Sequence, residues 1–297
     1  MSNISPTVKF SFAIILVLGI GISILVTFFE EASGGYLAQV VSEEESEEVD
    51  AEVVMPIVQE VSLSSAGAYT MSGQEIYSFR PDKRWPLASI TKLMTALVAD
   101  RLYLTEAPYE LVEITEEMVA VEGETGGLKV GEVIRADDLI KAMMLVSSND
   151  AAAALSIHYG EEEFVLLMNK TAEELGMTNT TFVDSTGLSV QNLSTVQDVR
   201  KLVELIWNDY TYIFNISTRP RDVIINRSSG AKRNLDNTNS FVELPDFLGG
   251  KTGSVSEGDG NLVSIFSVPG REEEVAVVVF GAGDPFLETQ KILEGLR

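Results

Sequence analysis

Strand signals stand at both ends of this chain's globular part and helix signals fill the middle, which narrows the folds open to it. Ala66-Gly67-Ala68-Tyr69-Thr70-Met71, then Ser72-Gly73, then Gln74-Glu75-Ile76-Tyr77-Ser78-Phe79 predicts two strands about a tight turn. Near the other end, Val223-Ile224-Ile225, Leu262 to Val268 and Val275 to Phe280 predict further strands, with a Pro269-Gly270 turn between the last two. Between them lie helical patterns. Asp137 or Asp138 is placed to cap Leu139 to Leu145, Asp150 to open an alanine-rich helix, and Glu161 to Leu175 ends at Gly176. Ser194-Thr195-Val196-Gln197 has the form of a capping box ahead of Val199, Leu202 and Val203. Asp284-Pro285 starts a last helix. The expectation is an α+β domain: a mainly antiparallel sheet assembled from both ends of the domain, with a helical insert covering it.

Upstream of about residue 56 the chain is different. Phe10 to Phe29 is 20 residues without a charge, enough at about 1.5 Å per residue to cross a hydrocarbon core of about 30 Å. Lys9 precedes the run and Glu30-Glu31 follow it, which predicts a cytoplasmic N-terminus and an extracytoplasmic remainder. The run exceeds the apolar stretch of a cleaved signal peptide, and bulky residues stand where small ones would mark cleavage, so a retained anchor is the favoured reading. Residues 30–52 carry nine acidic side chains and no basic one. Such a segment cannot bury enough apolar surface to fold and reads as an extended tether, with calcium binding the lesser alternative. The predicted order is a cytoplasmic segment 1–9, a single-pass anchor 10–29 in the lipid bilayer of a cell membrane, a tether 30–55 and a globular domain 56–297. A net charge of −24 without a basic patch argues against nucleic acid as a partner.

With no cysteine and one histidine among 297 residues, a cysteine nucleophile is excluded and a Ser-His-Asp set would need His158. Ser89-Ile90-Thr91-Lys92 offers another base. Ser89 follows Trp85-Pro86-Leu87-Ala88 and opens a run of helical spacing through Ile90, Leu93, Met94 and Leu97, so Lys92 lies one turn on and on the same face. Burial among apolar neighbours would lower the lysine's pKa from its usual value of about 10.4. The competing reading is a capping serine and a lysine that snorkels to water. Ser229-Gly230-Ala231-Lys232 fits the same pattern inside a turn-like stretch, so the tetrapeptide alone is not decisive.

Two more motifs sharpen it. Ser147-Ser148-Asn149 falls between two predicted helices, and Lys251-Thr252-Gly253 follows Gly249-Gly250 ahead of a predicted strand. Separately, these could be loop chemistry and an exposed edge-strand charge. In this order the three are the set shared by class A β-lactamases and penicillin-binding proteins. The segment Pro86 to Ala96, the block Phe182-Val183-Asp184-Ser185-Thr186-Gly187-Leu188 and the block Gly249 to Gly253 resemble the D-alanyl-D-alanine carboxypeptidases over residues 62–297.

That resemblance implies a β-lactamase/transpeptidase-like fold and removal of the terminal D-alanine from peptidoglycan stem peptides, with β-lactam antibiotics as inhibitors and no metal or organic cofactor. It implies Ser89 as acylated nucleophile, Lys92 as base, Ser147 as proton relay, and Asn149 on the substrate backbone. Lys251 and Thr252 would hold the terminal carboxylate beside Gly253, and the N–H groups of Ser89 and Ser254 the oxyanion. Three alternatives accompany it: a β-lactamase, a D,D-endopeptidase using the same groups, and a non-catalytic membrane-tethered wall-binding protein. The β-lactamase reading is lowered because the E-x-x-L-N stretch is missing. Residues 254–260 are more acidic than is usual for the family, and the chain stops after Leu296-Arg297, so a family-type C-terminal β domain and anchor are not expected. His158, Trp85 and Trp207 are expected to be packing or surface residues.

Overall fold

The computed structural model describes residues 25–30, 36–41, 63–105, 109–256 and 259–296, the first two stretches by their backbone alone. It separates into two units, Met1–Gln59 and Glu60–Arg297. In the first unit, β1 (Leu25–Glu30) pairs antiparallel with β2 (Tyr36–Val41). The close of the expected spanning helix is therefore a strand, which suits its run of Val, Thr and two Phe. The rest of that helix and most of the tether lie outside the described residues. Among the described residues no helix is long and apolar enough to cross a membrane.

The second unit opens with β3 (Ser65–Thr70) and β4 (Glu75–Phe79), the predicted hairpin. A two-residue strand β5 (Trp85–Pro86) leads through a 3₁₀ turn, Ala88–Ile90, into α1 (Thr91–Ala99). A π-helical stretch, Asp100–Thr105, prolongs α1. Next come β6 (Leu111–Glu113), α2 (Glu116–Val119) and β7 (Val133–Arg135), then the helices α3 (Ala136–Val146), α4 (Asn149–Tyr159) and α5 (Glu161–Glu174). Beyond β8 (Leu193–Ser194) follow α6 (Val196–Asp209), α7 (Tyr212–Ser217) and the hairpin of β9 (Arg221–Ile225) with β10 (Lys232–Asp236). The unit closes with β11 (Phe247–Ser256), β12 (Asp259–Phe266), β13 (Val275–Ala282) and α8 (Pro285–Gly295).

The predicted helices are present, with shifted caps. Asp137 and Asp138 lie inside the first turn of α3, where their charge favours the helix N-terminus, and neither caps it. Ser148 caps α4 by accepting from the Ala151 N–H, leaving Asp150 in the first turn. Thr195 caps α6 by accepting from the Asp198 N–H, one residue later than the box reading placed it.

The five-stranded sheet runs β11-β12-β13-β3-β4 with every neighbour antiparallel, so the two ends of the unit do build it. Both faces are covered. Along β13, Val275, Val277 and Val279 point to the layer that includes Leu293 of α8, while Ala276, Val278 and Phe280 point to the helices. The side-chain period of two thus splits one apolar run between two cores. α1 is the axis of the larger core: all nine of its residues are buried, the mark of a helix surrounded by others. Anything polar on that helix must find its partners inside the protein. β11, read in the sequence only as a strand edge at Lys251, extends over Phe247–Ser256 although Gly249, Gly250 and Gly253 deplete its β propensity.

Candidate active site

The chain entering α1 is held from two sides. Asn261 of β12 donates from Nδ2 to the Pro86 and Leu87 carbonyls (2.8 and 3.0 Å) and accepts from the Gly281 N–H (3.0 Å). Opposite, Leu87 N–H donates to the Asn192 carbonyl at 2.8 Å. Ala88 is forced to φ +48°, in the left-handed region that costs an L-residue about 1–2 kcal/mol. Ser89 follows inside the 3₁₀ turn and makes no side-chain cap, so the capping reading is replaced by a different bond. Its Oγ lies 2.9 Å from Lys92 Nζ.

Lys92 is fully buried, which removes the snorkelling alternative. Nζ reaches three oxygens: Ser89 Oγ at 2.9 Å, Asn149 Oδ1 at 2.7 Å and the Thr186 carbonyl at 2.6 Å. Burial drives its pKa well down, the Lys251 charge adds to that, and Asp184, Glu124 and Asp150 oppose it. A neutral amine has two N–H bonds and one lone pair. Asn149 Oδ1 and the Thr186 carbonyl can only accept, so they take both hydrogens. The lone pair is left for the Ser89 hydroxyl. That is the arrangement a general base needs.

Ser147 ends α3 in the left-handed region (φ 56°, ψ 29°), so the helix breaks where the next one starts. Its Oγ accepts from Lys251 Nζ at 2.9 Å. The expected relay is tied to Lys251, while Lys92 is bonded to Asn149 instead. Asn149 was expected to hold substrate, yet both ends of its amide serve the protein: Oδ1 takes Lys92, and Nδ2 donates to the Glu122 carbonyl at 2.7 Å. Lys251 stands opposite Val263 in the β11–β12 register and shares its face, toward the helices. It is 2% exposed, so the exposed-charge reading fails. Burial pushes its pKa down to about 7, with Glu124 acting the other way. Its ammonium also donates to the Thr252 carbonyl at 2.9 Å.

These groups surround one cleft of about 410 Å³, lined by Ser89, Ser147, Asn149, Thr252, Gly253 and Ser254 among others. All eight residues singled out in the sequence therefore meet, with Lys92 and Lys251 behind the wall. Thr252, Gly253 and Ser254 belong to β11, the sheet's outermost strand on this side, which suits pairing with an extended peptide. Among the described residues no group of three His, Cys, Asp or Glu side chains could hold a metal ion.

Several contributors carried no role in the sequence reading. Asp184 folds the loop that supplies the Thr186 carbonyl: Oδ1 accepts from the Thr186 and Gly187 N–H groups (2.7 and 2.6 Å) and Oδ2 from Ser189 N–H (2.9 Å). The run Asp184-Ser185-Thr186-Gly187 was a legible turn signal. Asp150, read as a helix opener, accepts from the N–H groups of Gly126 and Leu128 (2.7 and 2.9 Å) and fixes the loop bearing Glu124. Asn261 gave no signal, since nothing local marks an asparagine whose partners are 174 residues away. His158 lies outside the site, 2.8 Å from Glu110 Oε1 and against the Tyr103 ring. Ser229 and Lys232 sit exposed at the turn of the β9–β10 hairpin. Trp85 and Trp207 pack against the larger core.

A family model described as D-alanyl-D-alanine carboxypeptidase matches residues 64–284. A Pseudomonas aeruginosa protein named D-alanyl-D-alanine endopeptidase is 35% identical over 193 residues, 63% of this chain and 61% of that one. The Escherichia coli protein of the same name is 38% identical over 171 residues, 56% of this chain and 54% of its own. The Bacillus subtilis D-alanyl-D-alanine carboxypeptidase DacF is 30% identical over 221 residues, 72% of this chain and 56% of its own. The chain thus spans a little over half the length of these curated relatives. In fold it is similar to a mutant of Streptomyces K15 DD-transpeptidase, with a TM-score of 0.69 and 24% identity over 80% of this chain and 98% of that one. It is similar too to carboxypeptidase DacD from Francisella tularensis, with a TM-score of 0.71 and 20% identity over 84% and 73% of the two chains.

Proposed function

The chain belongs to the D-alanyl-D-alanine carboxypeptidase family, and we propose that it removes the terminal D-alanine of peptidoglycan stem peptides through an acyl-enzyme on Ser89. One observation carries the reading: the buried Lys92 Nζ lies 2.9 Å from Ser89 Oγ and is held there by Asn149 Oδ1 and the Thr186 carbonyl at 2.7 and 2.6 Å. In the first step Ser89 Oγ attacks the penultimate carbonyl carbon while its proton passes to Lys92. The oxyanion is held by the N–H groups of Ser89 and Ser254. Collapse breaks the C–N bond as Lys92 gives that proton, by way of the Ser147 hydroxyl, to the departing D-alanine nitrogen and so becomes a neutral amine again. Water then adds to the ester and restores the Ser89 hydroxyl.

Thr252 meets the substrate's terminal carboxylate from the cleft wall, and Lys251 supplies positive charge from behind Ser147. A β-lactam would acylate Ser89 in the same way. D,D-endopeptidase activity is a second reading, supported by the names of the relatives at 35% and 38% identity. It needs the same groups and a longer leaving peptide. The sequence further supports an extracytoplasmic catalytic unit carried by a membrane anchor within the uncharged run 10–29, the last five residues of which stand in β1.

The test is incubation of the unit with a fluorescent penicillin and, separately, with a D-Ala-D-Ala peptide and a cross-linked dimer of it. Label and D-alanine release should both vanish in Ser89→Ala and persist in Ser229→Ala. Label that survives Ser89→Ala refutes the assignment, and cleavage of the dimer alone selects the endopeptidase reading.

A further inference from the structure

Glu124 is a charged residue of the cleft wall that the mechanism leaves unused. It lines the same space as Ser89, Ser147 and Thr252. Its place is built from both sides. Asn149 donates from its backbone N–H to the Glu124 carbonyl (2.8 Å) and from Nδ2 to the Glu122 carbonyl (2.7 Å). Asp150 takes the N–H groups of Gly126 and Leu128 on the far side. Four hydrogen bonds from the first turn of α4 thus fasten the loop over residues 122–128. Gly123 lets it approach so closely: its φ is +84°, and a Cβ there would lie 2.8 Å from Asn149 Nδ2.

The loop is fixed, yet the Glu124 side chain is exposed and makes no hydrogen bond or ion pair within 4 Å among the described residues. Its field reaches both buried lysines, opposing the loss of their protons. The cleft therefore has two poles, a positive one behind Ser147 and a negative one on the facing loop. The departing residue carries its carboxylate to the positive pole and would be repelled by the negative one. Whatever group Glu124 binds must belong to the acyl half of the peptide, and must be a donor.

We propose that Glu124 is a specificity-determining residue, receiving a primary amine carried by the acyl-donor half of the substrate. This rests on the D,D-peptidase reading above. A carboxylate anchored by its backbone and free at its oxygens is already in position, so the ligand meets little reorganisation cost. An exposed ion pair is worth at most about a fivefold change in binding, and it weakens with salt.

The experiment compares two peptides ending in D-Ala-D-Ala that differ only in the preceding residue, whose side-chain amine is free in one and acetylated in the other. Wild-type protein should favour the free amine by roughly two- to fivefold in kcat/KM at low ionic strength. That ratio should fall toward one in Glu124→Gln and at about 0.5 M salt, and drop below one in Glu124→Lys. A ratio unchanged in both variants overturns the inference. Fluorescent penicillin labelling of Ser89, run alongside, separates the two failures. Labelling with no amine preference in the wild type removes Glu124's role alone, whereas no labelling and no cleavage of either peptide removes the peptidase reading and this inference with it.

Discussion

Gly187→Ala adds one methyl group, and the site should not survive it. Gly187 has φ +88°, and a Cβ there would lie 1.9 Å from the Ala88 carbonyl oxygen, 2.4 Å from its carbon and 3.0 Å from the Ser89 nitrogen. Ordinary contact begins near 3.4 Å, so the first approach is about 1.5 Å too short. All three obstructing atoms are backbone, and neither side can retreat freely. Asn261 holds the Pro86 and Leu87 carbonyls, while Asp184 holds the Gly187 N–H. The displacement therefore falls on Ala88 and Ser89.

Overpacking costs about 1–3 kcal/mol and a left-handed alanine about 1–2 kcal/mol more. The sum, about 2–5 kcal/mol, is a large part of a typical stability of about 5–15 kcal/mol. The chemical penalty is separate. Moving a nucleophile by about 1 Å costs on the order of 100-fold in rate. The assay is the rate of Ser89 labelling by a fluorescent penicillin, with thermal melting and far-UV circular dichroism to separate a folded, slow protein from an unfolded one. Labelling within about fivefold of wild type at an unchanged melting temperature would refute the reasoning, because a backbone clash of this size cannot be absorbed silently.

Lys92→Arg should cut acylation by about 10²–10⁴-fold, the usual worth of a general base, because arginine keeps its proton; near-normal labelling would show that the neutral amine is not required. Lys251 is a cation below about pH 7 and loses its charge above it, so preference for a peptide acid over its C-terminal amide should fall as pH rises through about 7, and a preference independent of pH would contradict that. The same group makes stability pH-dependent. Unfolded, Lys251 keeps its proton up to the ordinary lysine value of 10.5, while folded it loses it near 7. Between those values the unfolded chain binds more protons and stability rises with pH. Lys251→Met should lessen the rise of melting temperature across that interval, leaving the part due to Lys92, whose pKa is also lowered by burial, and an unchanged slope would exclude Lys251 as a source. Full-length protein should stay with membranes through an alkaline wash while a chain starting at Pro56 is soluble and keeps its penicillin reactivity; release of the intact chain would argue against an anchor at 10–29.

What the sequence made legible followed from local physics. The β3–β4 hairpin announced itself by apolar residues around Ser72-Gly73, and α8 by Asp284-Pro285, whose carboxylate does accept from the Phe286 and Leu287 N–H groups. What stayed hidden depended on distant partners. The extent of β11 beyond the strand edge at Lys251 was hidden, since it carries three glycines and has strand form because β12 pairs with it. Thr186 contributes a carbonyl, which has no residue-type signature, and Asn261 acts on residues far back in the chain. The three motifs named the reactive side chains but not their bonds: Asn149 orients Lys92, and Ser147 is held by Lys251.

The two buried lysines are where folding and chemistry pull apart. A lysine on a fully buried helix and a second on a covered strand face each suffer desolvation, and each lowers its pKa in response. Stability alone would favour apolar residues of similar volume at both positions. Their fates differ because the charges around them differ: Lys92 feels the Lys251 cation, which adds to burial in lowering its pKa. Lys92 meets two obligate acceptors and a hydroxyl, a set that a neutral amine satisfies completely, so its deprotonation leaves nothing unpaired. Lys251 meets the Ser147 hydroxyl and the Thr252 carbonyl, and burial pushes its pKa down to about 7 against the opposing charge of Glu124. One lysine is thereby favoured as a base and the other as a cation within one cleft: burial lowers both, and the Lys251 charge lowers Lys92 further.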